Sequence, residues 1–128
     1  MSLKSVEERF HIARGDLSLV VVEGFHPLKH ALRFGAKFVE VVSPDILALR
    51  SLQEEYAPDI GDGLNNLVVE IDQSMFERLA RVTPATGVMS IAERPFVDIE
   101  AMLNSTDGAP VVFLEKPRNL FNIGAAVR

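Results

Sequence analysis

Five short apolar runs rich in β-branched residues recur along the chain: LSLVVVEG (17–24), AKFVEVVSP (36–44), NLVVEID (66–72), GVMSIAER (87–94) and PVVFLE (110–115). The segments between them carry helical patterns. Strands that alternate with helices need connections long enough to cross a sheet, so a pure hairpin architecture is excluded and a parallel or mixed sheet is implied, with helices on both of its faces. The reading is an α/β chain, a three-layer α/β/α sandwich on a mixed sheet. The first run has no polar alternation and predicts a strand buried on both sides.

The helical segments have recognisable ends. HPLKHALRFG (26–35) has Pro27 where the first turn tolerates a missing N–H, and Gly35 just past its end. Leu28, Ala31 and Leu32 share one face of it, which turns Lys29 and Arg33 away from the core. SPDILALRSLQEEY (43–56) predicts a helix capped by Ser43 or Asp45, with Leu49, Leu52 and Tyr56 inward. QSMFERLARV (73–82) predicts a short helix with Phe76, Leu79 and Ala80 as its apolar stripe, and DIEAMLNSTDG (98–108) a helix that runs into a turn. PDIGDGLNN (58–66) is rich in turn formers and reads as loop. A break in composition at NSTDGAP (104–110) divides the chain into residues 1–105, a length that can fold alone, and 106–128.

The chain of 128 residues is 48% hydrophobic and 24% charged, ordinary values for a globular protein that buries a core. It has no cysteine, which excludes disulfides and thiolate metal sites, and its three histidines offer no metal-type cluster. No run approaches the ~20 apolar residues of a membrane span, and the start MSLKSVEERF lacks a signal-peptide core. The expectation is a cytoplasmic protein without a membrane partner. The net charge of −5 disfavours a polyanion as partner, but its distribution is uneven. Between Glu23 and Glu40 there is no acid, whereas Lys29, Arg33 and Lys37 are present beside His26 and His30. Such a segment forms a local basic patch on an acidic body, or one solvated face among others.

The chain closes on PVVFLEKPRNLFNIGAAVR. Asn119 or Asn122 can cap the helix that follows, Gly124 permits close approach, and Arg128 stands six residues after Asn122, about one and two-thirds turns along. The glycine-lysine-serine elements of a Walker loop are missing, as is a GxGxxG fingerprint.

This ending resembles the first signature motif of the SpoU (TrmH) branch of the SPOUT RNA methyltransferases, in which a strand ending in an acid leads to N-x-G-x-x-x-R. Glu115, Asn119, Asn122, Gly124 and Arg128 stand in that arrangement. Leu120–Phe121 replaces the Pro-Gly of many members, a bulkier loop. VVEGFHPLKHALRFGAKFVEVV (21–42) is similar to the opening of the family's small substrate-binding domain, where a glycine precedes a helix ending in A-L-x-x-G. TPATGVMSIAE (83–93) is similar to that domain's last strand, entered through a Thr-Pro-Gly turn with Thr86 at the usual polar position.

The resemblance implies a two-part enzyme. Residues 1–105 would be an RNA-presenting domain like the ribosomal proteins that bind kinked RNA. Residues 106–128 would be the first strand and helix of a knotted α/β domain, cut short after Arg128. The complete enzyme would transfer a methyl group from S-adenosylmethionine to a ribose 2′-hydroxyl of ribosomal or transfer RNA, and would be a homodimer through its C-terminal domain. Arg128 and Asn122 would take catalytic roles, the arginine by clamping phosphate and stabilising the developing alkoxide rather than as a base, with Glu115, Asn119 and Gly124 as motif support. Lys29, His30, Arg33 and Lys37 would contact RNA. The family's cofactor-binding motifs lie beyond the first motif, so S-adenosylmethionine is not expected to bind these residues, nor methylation to occur on them alone. The alternative is a stand-alone, non-catalytic RNA-binding module.

Overall fold

The computed structural model describes residues 4–127 and divides into two compact units, Met1–Pro95 and Phe96–Arg128. The first holds a four-stranded mixed sheet. Its elements are α1 (Val6–Gly15), β1 (Leu19–Glu23), α2 (Phe25–Arg33), β2 (Phe38–Ser43), α3 (Ile46–Tyr56), a 3₁₀ turn (Pro58–Ile60), α4 (Gly61–Leu67), β3 (Val68–Glu70), α5 (Gln73–Arg78) and β4 (Met89–Glu93). The second holds α6 (Ile99–Leu103) and α7 (Leu120–Ala126). No helix among the described residues is long and apolar enough to cross a membrane.

The strand order is β1-β4-β2-β3. β2 and β3 run parallel, and β4 is antiparallel to both of its neighbours, β1 and β2. A strand flanked on both sides and covered on both faces must bury every side chain, which is what Met89 to Ala92 of β4 do. The first run of the sequence is not that strand. β1 lies at the sheet edge, pairs only with β4 and is half-buried from Leu19 to Val22, because an edge strand keeps one side open.

Alternation along the strands builds two cores. Val41, Val88 and the half-buried Val22 meet Phe25 and Leu28 of α2, Leu49 of α3, Ile60 and Leu64. Val42, Met89 and Ile91 meet Phe10 and Ala13 of α1, with Phe76 of α5 and Leu79 at its end. Adjacent residues Val41 and Val42 thus feed opposite faces, so this unit is a three-layer α/β/α arrangement. A bulge in β2 sets two residues against one: Phe38 pairs with Ala92, and Glu40 with Ile91. The extra residue shifts the parity, so Phe38 packs with the α2 core while Glu40 points to α1, where it forms an ion pair with Arg9 at 2.6 Å.

Local chemistry explains most helix ends. Asp45, not Ser43, caps α3, its carboxylate accepting from the Ala48 N–H at 2.9 Å. Ser43 is buried and donates to the Gly87 carbonyl at 2.7 Å. Gln53 takes the inward place expected of Tyr56, with its amide donating to the Ala57 carbonyl at 3.0 Å, and Tyr56 is exposed. Residues 58–66 are helical rather than loop, since burying Ile60 and Leu64 outweighs the turn propensity of the glycines and asparagines around them. Helix α1 has no counterpart in the sequence reading above. Its signature is present as a capping box: the Glu8 N–H reaches the Ser5 hydroxyl at 3.2 Å, and the Glu8 carboxylate accepts from the Ser5 N–H at 2.8 Å.

The second unit begins at Phe96, ten residues before the break expected from composition, and takes α6 with it. Residues 110–115 form no strand among the described residues; Val111, Val112, Phe113 and Leu114 are exposed coil. A strand exists only as one side of a hydrogen-bonded pair, and this run has no such partner here, whatever its propensity.

Candidate functional site

The end of the first unit that carries α2 is organised by a glycine and a turn. Gly24 precedes the helix at φ 97° and ψ 165°, a conformation essentially confined to glycine. Its N–H donates to the Val88 carbonyl at 2.9 Å. The turn of Thr83–Gly87 reaches the same place: Thr86 Oγ1 accepts the first helical N–H, that of Phe25, at 2.8 Å. Gly24 offers no side chain for that purpose, so Thr86 caps α2 from sixty-one residues away. A Cβ on Gly24 would come within 3.3 Å of Thr86 Oγ1. Residues 21–42 and 83–93, far apart in sequence, therefore meet in space.

From this anchored start, 3.6 residues per turn place His26, Lys29, His30 and Arg33 on one face, opposite Phe25, Leu28 and Leu32. The rings of His26 and His30 meet edge-to-face with centroids 4.7 Å apart. Desolvation, then the neighbouring His26, Lys29 and Arg33, hold the His30 imidazole below its ordinary pKa. Lys29 is half-buried, whereas Arg33 and Lys37 are exposed. Lys37 lies past the helix, on the connection to β2, where its carbonyl accepts from Glu93 N–H at 2.8 Å.

Arg33 is not a free cation. Its Nε and Nη2 each donate at 2.7 Å to the two oxygens of Asp59, on the 3₁₀ turn after α3. The hydrogen bonds from Arg33, reinforced by the charges of Arg33 and Lys29, hold the Asp59 carboxyl below the usual carboxylate range. Nothing in the sequence spacing announces a partner twenty-six residues away. The structure thus gathers Lys29, His30 and Arg33 on one helix face, leaves Lys37 on the adjoining connection, and adds one acid that sequence reasoning missed.

In the second unit, Asn119 rather than Asn122 is the cap of α7, its side-chain oxygen accepting from Phe121 N–H at 2.9 Å and Asn122 N–H at 3.2 Å. Asn122 and Glu115 are exposed, and Lys116, in the bend after the run 110–115, takes φ 44°. A Cβ on Gly124 would meet nothing within 4 Å, so no close approach at this glycine explains its place. Leu114, Lys116, Arg118, Asn119 and Asn122 line an open groove of about 370 Å³. Arg128 lies outside the described residues. A larger groove of about 900 Å³ separates α1 from Arg78–Arg81 in the first unit, with Phe10 and Leu79 at its floor and the Arg78–Glu7 ion pair, 3.2 Å, on its rim. Among the described residues no group of histidines and carboxylates has the arrangement of a metal site. No protein-family model matches this chain, and no curated protein sequence does either.

Proposed function

We propose that the first unit is the RNA-recognition part of an S-adenosylmethionine-dependent 2′-O-ribose methyltransferase of the SpoU type, acting on ribosomal or transfer RNA. One observation carries the reading. Gly24 and the Thr83–Gly87 turn, the two marks of the resemblance to the substrate-binding domain, are joined by the hydrogen bond from Phe25 N–H to Thr86 Oγ1. That junction sets the direction of α2 and with it the cationic face of Lys29, Arg33 and the adjoining Lys37. These side chains would hold phosphates and so position RNA without reading its sequence.

The groove beside α7 does not fit the cofactor that this reading implies. The groove beside α7 is open, its lining is mostly exposed, and Lys116 and Arg118 would set two positive charges beside a sulfonium cation. In this reading the cofactor cradle belongs to later motifs of the family, and the contribution of the first unit is RNA binding.

The test is fluorescence anisotropy of the 128-residue chain with a labelled RNA hairpin over a range of potassium chloride. Lys29→Glu with Lys37→Glu should weaken binding and lower the slope of log K against log salt by about 1.4, since each lost phosphate contact to a single strand accounts for about 0.7. Unchanged affinity and slope in a variant with unchanged thermal stability would rule out this face. Methyl transfer to RNA by the complete protein, followed with tritiated S-adenosylmethionine, separates the enzyme from a stand-alone RNA-binding module.

A further inference from the structure

We propose that Asp59 is a built-in occupant of the α2 cation cluster, which RNA must displace from Arg33 in order to bind; this rests on the RNA-binding reading of α2. A guanidinium presents a planar fork to paired oxygens, and carboxylate and phosphate fit that fork in the same way. Asp59 fills it from both sides, with Nε to Oδ2 and Nη2 to Oδ1 at 2.7 Å each.

The acid is delivered by rigid backbone. Pro58 fixes φ at the start of the 3₁₀ turn, and Ile60, 7% exposed, anchors its end in the α2 core. Asp59 therefore stands at a set height beside the last turn of α2. The pair remains open to exchange, since side-chain exposure is 34% for Arg33 and 52% for Asp59. A solvated pair of this kind is weak enough for a polyanion to replace.

The consequence is selectivity. With Asp59 in place, Arg33 adds no net charge to the face. A ligand that offers a single weak charge gains nothing by competing with an intramolecular partner. A phosphodiester chain that also engages Lys29 and Lys37 gains several contacts at once and releases counterions, which favours displacement.

The experiment uses the 128-residue chain, the labelled RNA hairpin and a potassium chloride series. Its variants are Asp59→Asn, Asp62→Asn, Arg33→Gln and the double variant Asp59→Asn/Arg33→Gln. Asp62 is exposed and in no ion pair among the described residues, so its variant removes the same charge without touching the fork. Asp59→Asn should bind about 1.5–5-fold more tightly, the scale of an exposed ion pair released. Its salt slope should stay close to the parent's, because Arg33 meets phosphate in both chains once RNA is bound. Arg33→Gln should cost little alone and should cancel the whole gain in the Asp59→Asn background. Equal affinity of Asp59→Asn and the parent chain, or an equal gain from Asp62→Asn, overturns the proposal. If Lys29→Glu/Lys37→Glu weakens binding while Asp59→Asn changes nothing, only the role of Asp59 falls. If the lysine variant also leaves binding unchanged, the RNA reading of α2 falls with it. Thermal melts of each variant confirm that folded protein is compared.

Discussion

Replacing Gly24 by alanine tests the junction on which the candidate site depends. The backbone at φ 97° and ψ 165° lies in a region that L-residues enter only at a cost of about 1–3 kcal/mol. The added Cβ would also sit 3.3 Å from Thr86 Oγ1, closer than ordinary packing, so Thr86 must shift by a few tenths of an ångström. That shift loosens its 2.8 Å bond to Phe25 N–H, a contact worth about 0.5–1.5 kcal/mol. Together the loss is about 1.5–4.5 kcal/mol. Gly35 is the internal comparison: its φ is 77°, but a Cβ there meets nothing within 4 Å, so Gly35→Ala carries only the backbone cost of about 1–2 kcal/mol. Urea unfolding followed by far-UV circular dichroism should give a lower midpoint for Gly24→Ala than for Gly35→Ala, with the slope m unchanged. Thr86→Ala removes the atom the new Cβ meets, so the two changes should be less than additive by more than the ~0.3–0.5 kcal/mol expected of independent sites. A Gly24→Ala chain as stable as Gly35→Ala, or an additive cycle, would refute the claim that Thr86 and Gly24 share one tight junction.

Phe10→Ala should lower stability by about 3–5 kcal/mol in urea unfolding, since Phe10 is 1% exposed in the core between α1 and the sheet; a loss below about 1 kcal/mol would mean that α1 only rests on the surface. Asp59 is held below its ordinary value of 3.8, first by its hydrogen bonds with Arg33. A carboxylate with a depressed folded pKa contributes stability that is complete above its unfolded value and is lost as pH falls through the folded one. Asp59→Asn should therefore melt below the parent chain at pH 6 and converge with it as pH drops from about 4 toward 2; a gap that persists at the acid end contradicts the assignment.

The sequence was most legible where a residue acts on its neighbours. Pro27 and Gly35 bracket α2, the cap of α3 lies at one of two named residues, and four of five apolar runs pair as strands. It was least legible where the outcome depends on a distant element. Gly61–Leu67 looks like loop by composition and is helical because Leu64 reaches a core built by α2, α3 and β2. The run 110–115 looks like a strand by composition and remains coil because pairing is a property of two segments, not one. In the candidate site, the shared face of Lys29 and Arg33 was readable from helical spacing alone. Thr86 as the cap of α2 and Asp59 as the partner of Arg33 were not, because each arrives from another part of the chain.

Net charge misleads about this chain because its arginines and lysines are used differently. On the α1 side of the sheet, arginines tie elements together: Arg9 to Glu40 at 2.6 Å, Arg14 to Glu23 at 2.8 Å, and Arg78 to Glu7 at 3.2 Å. Arg14 also donates to the Leu79 carbonyl, which joins α1 to the segment after α5. Those cations are matched locally and project little field. On the α2 side only Arg33 is matched among the described residues, and Lys29 and Lys37 enter no ion pair there. A chain with a formal charge of −5 can therefore present a positive face, provided that its acids lie elsewhere or, like Asp59, can be moved aside. The sheet makes this division possible, since β4 at its centre separates two helix layers whose charged surfaces do not meet.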